Sequence, residues 1–266
     1  MKLFALASLL VVAAAPPLLA FGDKAHQVVT DRAIDTLPKG LKPFYKAHRL
    51  EMPTLALEGE PPSESTDRRF AIDRLQPFPF ADVPHTEAEL KQKYADTGAQ
   101  AGRLPWLIQE SYAKLVEAFK SADKTRILEE SDRLAGLVTD LHNPLALTDN
   151  ADGQKTEQHG LWQRFSVKLP EAMDKDLDLN PEAAFLLDKP ADHVFSMING
   201  TYIWADNLFY EEDLAHRGHS GYGERYFEGL ALRAGRLLKE RLSKAAGEAG
   251  SYWYTAWSAA GRPDLK

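Results

Sequence analysis

Apolar residues recur at helical spacing along almost the whole chain. Val29, Ala33 and Leu37 share one face of a predicted first helix, which ends near Pro38. Thr86 and the acidic residues after it favour another helix start, because both stabilise a helix N-terminus. The same periodicity predicts helices after Pro105, after Ser121 or Asp123, over 161–173, 190–214 and 221–247, and a short aromatic-rich helix over 251–260.

Two stretches between these elements have the composition of loops, at 51–84 and at 148–160. The chain shows no regular repeat and no low-complexity linker. We therefore expect an all-α, single-domain, multi-helix bundle over residues 21–266.

The first twenty residues have the pattern of a secretory signal peptide. A short positive start precedes an apolar stretch from Leu3 to Ala15, which is too short to span a bilayer. Two prolines then lead to Ala20, a small residue that favours cleavage before Phe21. We expect an exported protein, periplasmic or secreted, whose mature chain has no membrane span and is a monomer. A retained N-terminal anchor is the alternative.

The composition limits the chemistry that the chain can carry. There is no cysteine, so disulfides and thiolate metal ligands are excluded, and a metal would need His, Asp, Glu or a chain terminus. The formal net charge of −7 disfavours nucleic acid as a partner, because that binding relies on Lys and Arg against phosphates. Metal-mediated phosphate chemistry is not excluded by this charge.

Two blocks of sequence carry candidate metal ligands. In Phe21–His26, cleavage before Phe21 would create an α-amine one or two helical turns from His26, and two nitrogens together suit zinc. Alternatively, His26 only borders the first helix. In Gly136–Ala146, Asp140 lies on a helix whose other face is apolar, so its carboxylate must be solvated, paired or metal-bound.

A third block, Asn150–Ser166, joins a polar turn to a predicted helix. That helix carries Trp162 and Ser166 on one face. His159 lies in the turn, where an exposed loop position is expected.

In this order the three blocks resemble the superfamily of zinc-dependent phospholipase C and the single-strand-specific nucleases of fungi and plants. That family begins its mature chain with aromatic-G-x-x-G-H. It later carries H-x-x-x-D-x-H-Q-P-L-H, an N-x-D-G-Q-like loop and H-x-x-x-D/E. The likeness is ungapped within each block and extends over nearly the whole mature chain, including the aromatic tail at 253–263.

The resemblance implies an all-α domain that holds three zinc ions at the bottom of a cleft, where metal-bound hydroxide attacks a phosphodiester. The family pattern keeps Phe21, His26 and Asp140 as ligands, and it gives His142 a motif position without a ligand role. An aspartate ligand expected further upstream has no match. The remaining ligand positions are replaced, at Arg68 (or Arg69 after a one-residue slip), Gly136, Ala146, Trp162 and Ser166.

Glycine, alanine and tryptophan side chains offer zinc no donor. The three-metal site of the family is therefore not expected to form. At most one residual zinc site is expected, made by the Phe21 amine, His26 and Asp140 and completed by water.

Two further expectations follow from the replacements. Because protein interiors are close-packed, we expect the Trp162 indole to fill much of the space left by the lost metal and imidazoles. We also expect Arg68 or Arg69 to pair with Asp140 and supply the positive charge that zinc would have given.

The ligand losses favour a non-catalytic, exported binding or scaffolding protein, with a small phosphate-bearing or apolar molecule as its ligand. The alternative is a zinc-dependent phosphodiester hydrolase, a nuclease or phospholipase C with a reduced or altered metal site. Asp140 is then the sole catalytic candidate. Both interpretations share one fold, so the fold cannot separate them.

Overall fold

Helices form the framework of the protein. The structure is a computed structural model that describes residues 21–52 and 67–265. Within those two segments there is no strand, which confirms the all-α prediction, and no helix is long and apolar enough to cross a lipid bilayer. The predicted signal peptide lies outside the described residues. The α-helices are α1 (Asp23–Thr36), α2 (Lys42–Ala47), α3 (Glu87–Ala101), α4 (Leu104–Ser121), α5 (Lys124–Leu141), α6 (Leu169–Ala172), α7 (Pro190–Tyr202), α8 (Ala205–His216) and α9 (Glu224–Ala259).

Two helices begin at the caps that the sequence offers. The Thr86 side chain accepts a hydrogen bond from the Glu89 N–H at 3.3 Å before α3. The Asp123 carboxylate accepts one from the Arg126 N–H at 3.1 Å before α5. Each bond satisfies a backbone donor that the first helical turn leaves without a partner. The predicted starts of these two helices are confirmed.

The C-terminal helix is longer than predicted. The helices predicted over 221–247 and 251–260 form one continuous helix of 36 residues, α9. Gly250 lies between the two predicted helices, yet it is inside α9. A glycine is found there because α1 packs closely against α9 at this point. A Cβ on Gly250 would lie 2.0 Å from Thr36 Oγ1 and 3.2 Å from the Ala33 carbonyl oxygen. The glycine therefore permits close contact between two helices and does not end either one.

The helix predicted over 190–214 is two helices, α7 and α8, separated at Ile203 and Trp204. The break leaves carbonyl groups of the last turn of α7 without helical partners. Arg241 on α9 provides a hydrogen-bond donor for one of these carbonyl groups, since its Nη1 donates to the Gly200 carbonyl oxygen at 3.0 Å. The predicted helix over 161–173 is a π-helix at Gln163–Lys168 followed by the single turn α6.

Helix α9 is the centre of the packing and contacts α1, α4, α5 and α8. One apolar cluster lies against the C-terminal half of α9 and includes residues of α3, α4, α5 and α7. A second lies against its N-terminal half and includes residues of α1, of the 145–179 region and of α8. The C-terminal end of α5 lies where the two clusters meet.

The close crossing of α1 and α9 gives a stability prediction. Gly250→Ala should destabilise the protein by about 1–3 kcal/mol, because the added methyl group overlaps Thr36 and packed helices resist displacement. In the same helix, Gly229→Ala meets no atom nearer than 3.7 Å, so it should stabilise by about 0.5–1 kcal/mol through better helix propensity. Urea denaturation of both variants measures the difference. Equal effects in the two variants would contradict the close crossing.

Candidate functional site

Asp140 is the centre of the candidate site. It lies one residue before the end of α5, and its side chain is completely buried. The Phe21 backbone nitrogen and His26 Nε2 reach its Oδ1 at 3.2 and 2.6 Å. Arg68 Nε reaches its Oδ2 at 2.5 Å. The structure thus brings together the three residues predicted for a residual metal site, and it adds a guanidinium to them.

The register of the segment around residue 68 selects which arginine meets the carboxylate. The Phe70 N–H donates to the Ala146 carbonyl oxygen at 2.8 Å, just beyond the end of α5. This bond holds the segment so that Arg68, and not Arg69, faces Asp140. The expected arginine–aspartate pair is confirmed, with Arg68 as its arginine.

Gly136 provides the space that the guanidinium uses. It lies one helical turn before Asp140 on α5. A Cβ built on Gly136 would lie 3.1 Å from Arg68 Nη2, closer than an ordinary van der Waals contact. The histidine of the family pattern would overlap this guanidinium. The changes at positions 68 and 136 are therefore coupled, because the glycine leaves room for the arginine.

The N-terminal end of the described chain is bound to the site by its backbone. Phe21 is fully buried, and its nitrogen donates to Asp140. The next nitrogen, of Gly22, donates to the Ser166 carbonyl oxygen at 3.0 Å. In the full chain the Phe21 nitrogen is a peptide N–H, and cleavage before Phe21 would turn it into an ammonium group. His26 follows in the first turns of α1, and its ring is mostly buried.

The surrounding charges keep Asp140 ionised. Burial by itself would raise the pKa of Asp140, but the positive charges of Arg68 and His26 and their hydrogen bonds outweigh it and hold the pKa below its usual range. An ionised carboxylate only accepts hydrogen bonds. His26 Nε2, the ring nitrogen that faces Asp140, is therefore the donor in this contact, and a metal could bind that nitrogen only by displacing the proton.

The remaining replaced positions are buried and occupied by protein contacts. Ser166 Oγ accepts a hydrogen bond from Asn143 Nδ2 at 2.8 Å, where the family pattern has a metal-binding carboxylate. Ala146 and Trp162 belong to the same buried apolar cluster as Phe21. The Trp162 side chain lies inside the protein and does not point to solvent. That its indole takes the volume of the lost metal and imidazoles remains a prediction.

Three other histidines, His85, His142 and His159, lie near the motifs in the sequence, and the structure places them in different surroundings. His142 is buried, and neither ring nitrogen has a hydrogen-bond partner within the described part of the chain. Its burial, and after that the positive charge of Arg241, lower its pKa to about 3, so the ring is neutral. His85 is exposed and bonds to Asp192 at 2.9 Å. His159 is exposed in its loop, as expected.

The residues present do not fit three zinc ions. In the segments that the structure describes, no group of three or more His, Asp, Glu or Cys side chains could hold a metal ion. Both Asp140 oxygens accept hydrogen bonds, and the permanent charge of Arg68 repels a dication at this position. At most a single ion could use His26 and Asp140, and only after Arg68 moved away.

Asn143 was not predicted as a site residue, although it lies inside the second motif. Its side chain joins Ser166 to the turn after α5, because Oδ1 also accepts the Leu145 N–H at 3.1 Å. The available signal was its place directly before Pro144, where a polar side chain often caps a new turn. The coupling of positions 68 and 136 had no local signal in the sequence.

No protein-family model matches the chain, and no curated protein matches it at a significant level. The likeness to the phospholipase C and nuclease superfamily therefore depends on the order and spacing of the motif residues. Only the all-helical class of the fold is established.

The buried ion pair gives a direct test by mutation. Arg68→Met should destabilise the protein by about 3–5 kcal/mol, because it removes the main positive partner of a buried carboxylate. Adding Asp140→Leu should recover most of that loss, since an apolar pair of similar volume is often as stable as a buried ion pair. The free energies of unfolding of both variants in urea measure the effect. If Arg68→Met costs less than about 1 kcal/mol, as at an exposed pair, the pair does not stabilise the site.

Proposed function

We propose that this chain is a non-catalytic, exported binding protein, built on the helical frame of a metal-dependent phosphodiesterase. The observation that carries the proposal is the contact of Arg68 with Asp140 above Gly136. It places a permanent cation of the protein itself beside the one bridging carboxylate that the family pattern retains.

The chemistry of the site supports the absence of phosphodiester hydrolysis. The family's reaction needs adjacent dications that generate hydroxide and stabilise the leaving oxygen. An arginine also neutralises the carboxylate, but it has no open coordination position and activates no water. The positions that would bind the further ions hold glycine, alanine, tryptophan and serine. A reduced zinc-dependent hydrolase is the competing function, and it requires Arg68 to leave Asp140.

The proposed ligand is small and is either apolar or phosphate-bearing. With a net charge of −7, long-range attraction to nucleic acid is disfavoured. The protein would thus keep a stable helical scaffold and use its surface pockets for binding.

The metal content of the purified mature protein tests this proposal. After incubation with zinc and dialysis, we expect no more than about one zinc ion per chain and no hydrolysis of bis(4-nitrophenyl) phosphate above the buffer rate. Asp140→Asn is the control, because any metal or turnover that uses the family site must be lost in it. Several tightly held ions, with hydrolysis that Asp140→Asn abolishes, would support the competing hydrolase and overturn the proposal.

The loss of the metal site should be partly reversible. The double variant Arg68→His/Gly136→His removes the guanidinium and returns imidazoles to two positions beside His26 and Asp140. We expect zinc to bind it at least about tenfold more tightly than it binds the unaltered chain. Arg69→His is the matched control, since it adds an imidazole at the neighbouring position while Arg68 remains bonded to Asp140. Isothermal titration with zinc compares the three proteins, and equal affinities would show that Arg68 does not block the metal.

A further inference from the structure

A cavity of about 250 Å³ lies between α3 and the first turn of α4, and Asp140 is not among the residues that line it. No motif of the sequence pointed to it. Its walls are mainly apolar, and its opening is bordered by charged side chains. The apolar lining is formed by Leu90, Gly98, Ala99, Gly102 and Trp106.

Small residues line part of this cavity, and α3, which forms one of its walls, is bent. Gly102 has a φ of +100°, and a Cβ there would lie 2.2 Å from the Arg69 carbonyl oxygen, so only glycine fits. Ala95, between Leu90 and Gly98, has a φ of 45° and a ψ of −127°, which interrupts the regular helix. Such a conformation is strained for alanine and persists where the surrounding structure imposes it. Strain of this kind often marks a binding site.

The Trp106 indole ring forms part of the cavity wall. Its Nε1–H already donates to the His85 carbonyl oxygen at 3.1 Å. The side chain is also held edge-on against Phe70, with ring centroids 5.4 Å apart. With its donor occupied and its position fixed, Trp106 presents an apolar surface that favours contact with another ring.

The charges at the opening neutralise one another. Glu87 accepts hydrogen bonds from Arg103 Nε and Nη2 at 3.0 and 3.1 Å and pairs with Lys91 at 2.8 Å. Arg103 also pairs with Glu110 at 3.0 Å. Arg103 first, against a smaller effect of burial, lowers the pKa of Glu87 to about 2, so this carboxylate is charged at neutral pH. Each charged side chain that lines the cavity thus already has an ionic partner, and the opening presents no unpaired charge that would select an anion or a cation.

We infer that this cavity binds a small, neutral, apolar molecule of about one aromatic ring, seated against Trp106. The volume suits that size, since an apolar cavity of roughly 150 Å³ holds benzene and pockets for drug-sized ligands begin near roughly 300 Å³. The inference rests on the proposed binding function, and it selects the apolar ligand over the phosphate-bearing one at this site.

Toluene titrated into the full mature protein tests the inference by NMR. We expect saturable binding on the order of 1 mM, in line with a ligand of this size. Overhauser contacts should run from the toluene methyl group to the Trp106 ring and the Leu90 methyl groups. Ala99→Phe, which extends a ring into the cavity, should abolish these contacts. Gln92→Phe, on an exposed part of α3 outside the lining, should leave them unchanged.

Absence of saturable binding, or contacts to residues outside the cavity alone, would overturn the inference. So would equal loss of binding in Ala99→Phe and Gln92→Phe. The Overhauser contacts in the unaltered protein test whether toluene binds against Trp106 even if a variant fails to fold. Failure of this test leaves the Arg68–Asp140 contact untouched, whereas failure of the proposed function would appear as tightly bound zinc and hydrolysis.

Discussion

A buried carboxylate needs a compensating positive charge, and the centre of this protein is arranged around that requirement. Asp140 lies fully inside the protein where the two apolar clusters meet. Without compensation its charge would cost several kcal/mol. Arg68, His26 and the Phe21 nitrogen meet this requirement, and they join two separate parts of the chain, the start of α1 and the segment around Arg68, to α5. The family pattern that the chain resembles places a metal-bridging carboxylate at this position, whereas in the structure Asp140 is bound by groups of the protein itself.

The pairing of Asp140 with an arginine also has to satisfy packing. A guanidinium is larger than a zinc ion and needs space on one side of the carboxylate. Gly136 provides that space, because a side chain there would meet Arg68 Nη2. On the other side, Ser166 bonds to Asn143 where a metal-binding carboxylate is expected. Charge, volume and hydrogen bonds are thus compensated together, which is consistent with a stable structural role for the residues around Asp140.

The sequence predicted the parts of this structure that depend on local signals. The starts of α3 and α5 follow caps within the segments themselves, and the all-α class follows from helical spacing. The continuity of α9 was missed because Gly250 is explained by α1, which lies far away in sequence.

The candidate site shows the same division between features that follow from local patterns and features that depend on residues distant in sequence. The order of the motifs brought Phe21, His26 and Asp140 together correctly. The choice of Arg68 over Arg69 depends on backbone hydrogen bonds that residues 67–71 make with distant parts of the chain, among them the bond between Phe70 and Ala146, and no local pattern encodes them. The cavity beside Trp106 lies against α3, whose regular helix is interrupted at Ala95, and alanine gives no sign of such a bend in the sequence.

The central claim is that the Arg68 guanidinium takes the place of a metal ion at Asp140. Anomalous diffraction at the zinc absorption edge, from crystals of the mature protein soaked in zinc, tests it most directly. The account predicts no anomalous peak between Asp140 and His26, with the Arg68 guanidinium still bonded to the carboxylate. A strong peak bridging those two residues, with Arg68 turned away, would contradict it.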